Sequence, residues 1–140
     1  KMIHTVANAQ VPKFTFIIGG SYGAGNYAMA GRAYNPELLF MWPHAKIGVM
    51  GGEQAAGVMT SVKVAQLRKQ GKNPDEQEIE EIRQGILERY EEESSVWYSA
   101  SRIWDDGIVD PLDTRRIIAA GIEMARNRTW GDPQNGIFRM

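Results

Sequence analysis

The chain has 140 residues, no cysteine, and a formal net charge of -1 from 16 basic and 17 acidic side chains. It shows no basic stripe of the kind a nucleic-acid partner requires, and the lack of cysteine excludes a disulfide framework and a thiolate zinc site while fitting a reducing compartment. No apolar run approaches the ~20 residues of a membrane-spanning helix, no secretory leader is visible, and the length suits one domain with a modest core.

The chain opens Lys1-Met2-Ile3-His4, without an initiator methionine, and so reads as a fragment or a processed product. Residues 1–10 are ambiguous and suit the end of a helix begun upstream. Residues 14–18 are β-rich and nearly continuously apolar, which predicts a buried strand. A glycine-dense turn follows, Gly19-Gly20-Ser21-Tyr22-Gly23, and then a short helix of small residues over 22–30. Glycine lets a backbone approach a ligand closely, and the first N–H groups of a helix have no intrahelical partner. The segment therefore aims backbone amides at negative charge while carrying almost no side chain able to move a proton. That is the make-up of an oxyanion hole.

The same residues also match G-x-S-x-G, the nucleophile elbow of serine hydrolases, in a strand–turn–helix context. That alternative needs a histidine base and an orienting acid. The chain has two histidines: His4 precedes Ser21, and His44 follows it by 23 residues with Glu37 the one acid between. The span leaves little room for the strands that separate triad members, so Ser21 reads better as a turn residue.

Residues 38–42 and 46–50 predict two more strands, split by Pro43-His44. Gly51-Gly52 then opens a helix over 53–69 as a second, weaker candidate anion site, although close packing explains these glycines as well. Two strand–glycine–helix units in succession suggest one repeated architecture. Asn73-Pro74-Asp75-Glu76 offers a cap, a first-turn proline and acids suited to the helix dipole. The helix it starts, 75–93, carries the apolar stripe Ile79, Ile82, Ile86, Leu87 and Tyr90, with its charges on a solvated face. Residues 94–103 predict another helix with Trp97 and Tyr98. Asp105 and Asp106 precede Gly107 and are expected to form a turn rather than a catalytic pair. A brief extended piece at 108–109, a helix over 111–126 started by Asp110-Pro111, and an irregular tail from 130 complete the chain. No low-complexity linker divides it, which predicts a single domain.

Five segments together resemble the carboxyltransferase (beta) subunits of biotin-dependent acyl-CoA carboxylases, the methylcrotonoyl branch above all. They are residues 17–29 (IIGGSYGAGNYAM), 31–34 (GRAY), 49–56 (VMGGEQAA), 103–115 (IWDDGIVDPLDTR) and the ending 136–140 (GIFRM). The match covers about the C-terminal quarter of such a subunit. Propionyl and geranyl relatives are the alternatives within the family, and a non-catalytic assembly module is the alternative outside it. The resemblance implies an α/β, crotonase-like fold, a spiral of ββα units, with this chain forming part of the C-terminal carboxyltransferase domain. It implies carboxyl transfer from carboxybiotin to an acyl-CoA, with the backbone amides of Ala24 and Gly25 as the oxyanion hole for the biotin enolate. Gly20, Tyr22, Gly23, Asn26, Tyr27, Gly51 and Gly52 are then expected around the substrate and biotin.

The chain has no biotinylation motif and no ATP-binding glycine loop. The resemblance thus implies that biotin arrives on a separate carrier and that no metal binds in this chain. Its implied partners are a biotin carboxylase and carrier subunit and further copies of the carboxyltransferase subunit, with no nucleic acid and no membrane. The expected location is the mitochondrial matrix in a eukaryote and the cytoplasm in a bacterium. In this family the site is shared between subunits, so the segment alone is expected to be inactive.

Overall fold

A computed structural model describes residues 1–131. After a short helix α1 (Met2–Asn8), two strands run in succession, β1 (Phe14–Ile17) and β2 (Gly20–Tyr22), and lead into α2 (Gly23–Ala28). A single 3-10 turn (Arg32–Tyr34) separates them from the next pair, β3 (Leu38–Met41) and β4 (Lys46–Gly48), which lead into α3 (Gly52–Lys69). The two units stack. β1 pairs in parallel with β3, from Phe14↔Leu38 to Ile17↔Met41. β2 pairs in parallel with β4, from Gly20↔Lys46 to Tyr22↔Gly48.

The chain is thus built of ββα units laid one on another, the crotonase-like α/β arrangement. A third rung begins where Met41 bridges Ile108 in parallel. There the Met41 N–H donates to Gly107 O at 3.1 Å and the Val109 N–H to Met41 O at 2.9 Å. The core lies between the layers: Leu39 and Met41 are completely buried, with Ile17, Ala45 and Val96 beside them. Parallel strands covered on both faces need near-continuous apolar runs, which is why 14–18 and 38–42 read as strands in the sequence.

β2 is a departure from expectation. The sequence places only a turn at 19–23, but Gly20–Tyr22 is extended. Glycine, serine and tyrosine carry no shared strand preference. The extension is set by the ladder to β4, 26 residues further on in register.

The helices follow local signals. α4 (Glu76–Glu93) begins one residue later than the expected 75–93, because Asp75 serves as the N-cap and forms a reciprocal capping box with Glu78. The Glu78 N–H donates to Asp75 Oδ1 at 2.8 Å, and the Asp75 N–H to Glu78 Oε2 at 3.2 Å, so two orphan donors are satisfied together. α3 buries Ala55, Ala56, Thr60 and Val64, whereas α4 buries no residue fully. α5 (Val96–Ser101) is capped by Ser95, whose hydroxyl accepts the Tyr98 N–H at 3.2 Å. The predicted helix at 111–126 divides into a 3-10 turn (Pro111–Asp113), capped by Asp110, and α6 (Thr114–Ala125). The GIFRM ending and the tail beyond Gly131 lie outside the described residues.

Candidate active site

Because β2 and β4 are neighbours, their C-terminal ends bring the two glycine-rich helix starts side by side. Gly23, the first residue of α2, has φ +53°. A Cβ built on it would lie 2.9 Å from the carbonyl oxygen of Val49, the residue after β4. Both the left-handed backbone and the missing side chain are required there. Gly23 turns the chain from strand into helix, and Ala24 and Gly25 follow in the first turn.

α2 has no side-chain N-cap, and its first-turn amides have no acceptor within the helix. Ala24 and Gly25 are both exposed. A Cβ at Gly25 would meet none of the described residues within 4 Å, so among them neither backbone angle nor packing demands this glycine. Its bareness leaves room for a ligand atom to approach the amide.

Asn26 braces this turn. Its Nδ2 donates to Ser21 Oγ at 2.9 Å, and its carbonyl accepts the Gly31 N–H at 2.9 Å. A Cβ at Gly31 would lie 2.1 Å from Asn26 Oδ1, so only glycine fits against it. The Tyr22 ring lies over Gly20, whose Cβ would sit 2.6 Å from Tyr22 Cε2. Tyr27 is about half exposed and stands edge-on to Tyr34, with ring centroids 6.2 Å apart. Gly51 caps α3 with open space around it, while a Cβ at Gly52 would lie 3.4 Å from Leu87 Cδ1. That is an ordinary van der Waals contact, so packing of α3 on α4 does not demand glycine at Gly52, and Gly51 stays open.

Ser21 lies in β2, two residues before the turn, with its hydroxyl accepting from Asn26. The histidines are placed elsewhere: His4 on α1 beside Asn8, and His44 edge-on to Trp42 with centroids 6.0 Å apart. A nucleophile elbow holds its serine on the strained turn itself; here that position belongs to Gly23.

The two aspartates do structural work. Asp105 is buried and accepts the Ser99 hydroxyl at 2.5 Å. Asp106 accepts the Leu39 N–H at 2.7 Å and pairs with Arg32 at 3.0 Å, tying the 104–107 turn to β3. Nothing local announces the Arg32–Asp106 bond, which spans 74 positions. Among the described residues no group of three or more His, Cys, Asp or Glu side chains could hold a metal ion, and no helix is long and apolar enough to cross a membrane.

A family model described as the carboxyl transferase domain matches residues 1–136. The chain belongs to the carboxyl transferase family. It is 50% identical over 140 residues to the probable methylcrotonoyl-CoA carboxylase beta chain, mitochondrial, of Drosophila melanogaster, covering all of this chain and 24% of that one. Against the methylcrotonoyl-CoA carboxylase beta chain, mitochondrial, of Arabidopsis thaliana the identity is 48%, with the same coverage. The chain therefore spans about a quarter of the length of these curated relatives. The geranyl-CoA carboxylase beta subunit of P. aeruginosa superposes with a TM-score of 0.78 at 37% identity, over 99% of this chain and 26% of that chain. The transcarboxylase 12S subunit superposes with a TM-score of 0.76 at 29% identity, over 99% and 25%. Family membership bears out the resemblance read from the five segments.

Proposed function

We propose that this chain is part of the C-terminal domain of a carboxyltransferase subunit that moves a carboxyl group from carboxybiotin to an acyl-CoA. The 3-methylcrotonoyl-CoA substrate is favoured over geranyl-CoA by the names of the relatives at about half identity. The observation that carries the reading is the bare, exposed first turn of α2 behind Gly23.

Carboxybiotin supplies the carboxyl group when bound. The amides of Ala24 and Gly25 would hold the ureido oxygen of its ring as negative charge builds there. Two preorganised N–H donors at a helix start stabilise such charge without reorganisation. Gly23 aims them, Asn26 locks the turn through Ser21 and Gly31, and the open face of Gly25 admits the ring. Biotin would arrive on a carrier subunit, and further copies of the carboxyltransferase subunit would complete the acyl-CoA side of the site.

The test is Gly25→Val in the protein expressed from its complete reading frame. A β-branched side chain crowds the approach to the amide, and loss of one donor slows reactions of this type by ~10²-fold or more. Carboxyl transfer from carboxybiotin should fall on that scale, while acyl-CoA affinity measured by calorimetry changes much less. Near-normal turnover in a folded variant would reject the role, as would a loss confined to acyl-CoA binding.

A further inference from the structure

Two helices of this chain end on the same strained pattern. Among the described residues, three that are not glycine have positive φ: Ala30 at +57°, Asn35 at +46° and Ile103 at +58°. Ala30 follows α2, where the Gly31 N–H donates back to Asn26 O at 2.9 Å. Ile103 follows α5, where the Trp104 N–H donates back to Ser99 O at 3.1 Å. Both are Schellman ends, whose left-handed seat usually holds glycine. Alanine resists that conformation, and for a β-branched residue such as isoleucine it is a genuine outlier. Residues of this kind persist where their surroundings hold them, and they gather at functional sites.

Arg32 holds the two ends together. Its Nε–H donates to Trp104 O at 3.1 Å, and a terminal Nη2–H donates to Asp106 Oδ1 at 3.0 Å. The fork thus reaches from two residues past Ala30 to the residue just past Ile103. Asp106 also accepts the Leu39 N–H at 2.7 Å, which anchors the clamp on a fully buried residue of β3. On the other side, the Thr15 hydroxyl donates to Ala30 O at 2.8 Å. α2 has six residues, fewer than two helical turns, so its end is coupled closely to its start. Its closing bonds reach back to the site itself: the Met29 N–H donates to Gly25 O at 3.2 Å, and the Gly31 N–H to Asn26 O.

We infer that Arg32 is a positioning residue for carboxyl transfer: paired with Asp106, it clamps the end of α2 to the end of α5 and so fixes the direction of the Ala24 and Gly25 amides. The inference rests on the carboxyl-transfer reading and adds to it a pair of side chains outside the α2 turn.

The test is Arg32→Lys in the protein expressed from its complete reading frame, a change that keeps the charge and removes the fork. An ion pair as exposed as Arg32–Asp106 contributes little stability, so the urea midpoint should hardly move. Misdirected groups are costly in rate, so kcat for carboxyl transfer should fall about ten-fold or more. KM for the acyl-CoA should stay within about two-fold, because substrate binding is left intact. Asp106→Asn keeps an acceptor for the Leu39 N–H and should give the same split. Both variants cut one link, so the double variant should be no slower than either single one. Gly25→Val, measured alongside, separates the two readings. Near-normal turnover of Gly25→Val rejects the oxyanion reading, and the clamp with it. If Gly25→Val slows transfer and Arg32→Lys does not, the clamp alone is overturned. It is also overturned if the rate losses of Arg32→Lys and Asp106→Asn multiply, if KM alone rises, or if the rate falls only in step with a loss of folded protein.

Discussion

The strand-built part of this chain and its helical hairpin are held together by opposite means. In the strand part, Leu39 and Met41 are sealed from solvent and the parallel ladders join residues 24 to 26 positions apart. In the hairpin, α4 has no fully buried residue. Its order comes from a capping box, from i,i+3 and i,i+4 pairs such as Arg83–Glu80 and Arg89–Glu93, and from the Arg83–Glu53 bridge to α3 at 2.5 Å. One region draws on packing between distant segments and the other on contacts within a few turns of chain. The same contrast separates their glycines. Gly23 and Gly31 sit where a Cβ would strike backbone or side chain, whereas Gly85 faces open space.

If packing carries the strand part, a cavity there should dominate all other single changes. Leu39→Ala removes a fully buried side chain from between the layers, and it should cost about 3–4 kcal/mol, the transfer loss plus the unfilled cavity. Ile86→Ala, on the half-buried stripe of α4, should cost about 1 kcal/mol because less area leaves contact. Urea denaturation of both variants gives the ratio. Equal losses would mean that the hairpin stripe is covered more fully than α3 alone covers it.

The hairpin should instead respond to its end. Asp75→Ala deletes one half of the capping box and leaves the Glu78 N–H without its acceptor. The expected loss is about 1 kcal/mol. Hydrogen exchange should localise it to the first turns of α4, with the amides of β3 protected as before. Loss of protection spreading equally into β3 would show that the two regions unfold as one unit.

These different means explain what could be read in advance. The α4 stripe and the Asp110 cap are written in neighbouring residues, so the sequence places those helices to within a few positions, although the caps that form at Asp75 and Ser95 are not the ones it points to. β1 and β3 announce themselves by apolar runs. β2 does not: Gly20, Ser21 and Tyr22 become a strand only because Lys46–Gly48 lies alongside. At the candidate site, the glycines and the helix start are legible as backbone aimed at charge. What Gly23 does there is not legible: its positive φ and its close approach to Val49 O belong to a strand pairing that the sequence conceals. The Asn26–Ser21 brace and the Arg32–Asp106 tie are invisible for the same reason, being contacts made by the fold and by no local pattern.

The join between the two regions gives the smallest expected effect. Lys46 on β4 pairs with Glu91 on α4, at side-chain exposures of 40% and 54%. Beside the pair, the Ile47 N–H donates to Ser94 O at 3.0 Å, and Val96 enters the core two residues later, almost fully buried. A solvated ion pair contributes at most about 1 kcal/mol, and salt screens it over about 10 Å at 0.1 M. The backbone bond and the buried valine are insensitive to salt. If they anchor the hairpin, Glu91→Gln should cost less than about 1 kcal/mol in low salt and almost nothing in 1 M salt, where charge screening is nearly complete. Urea midpoints of the variant and the parent at the two salt concentrations make the measurement. A loss above about 2 kcal/mol that persists in high salt would exceed what a surface pair supplies, and would assign the join to Glu91 rather than to Ser94 and Val96.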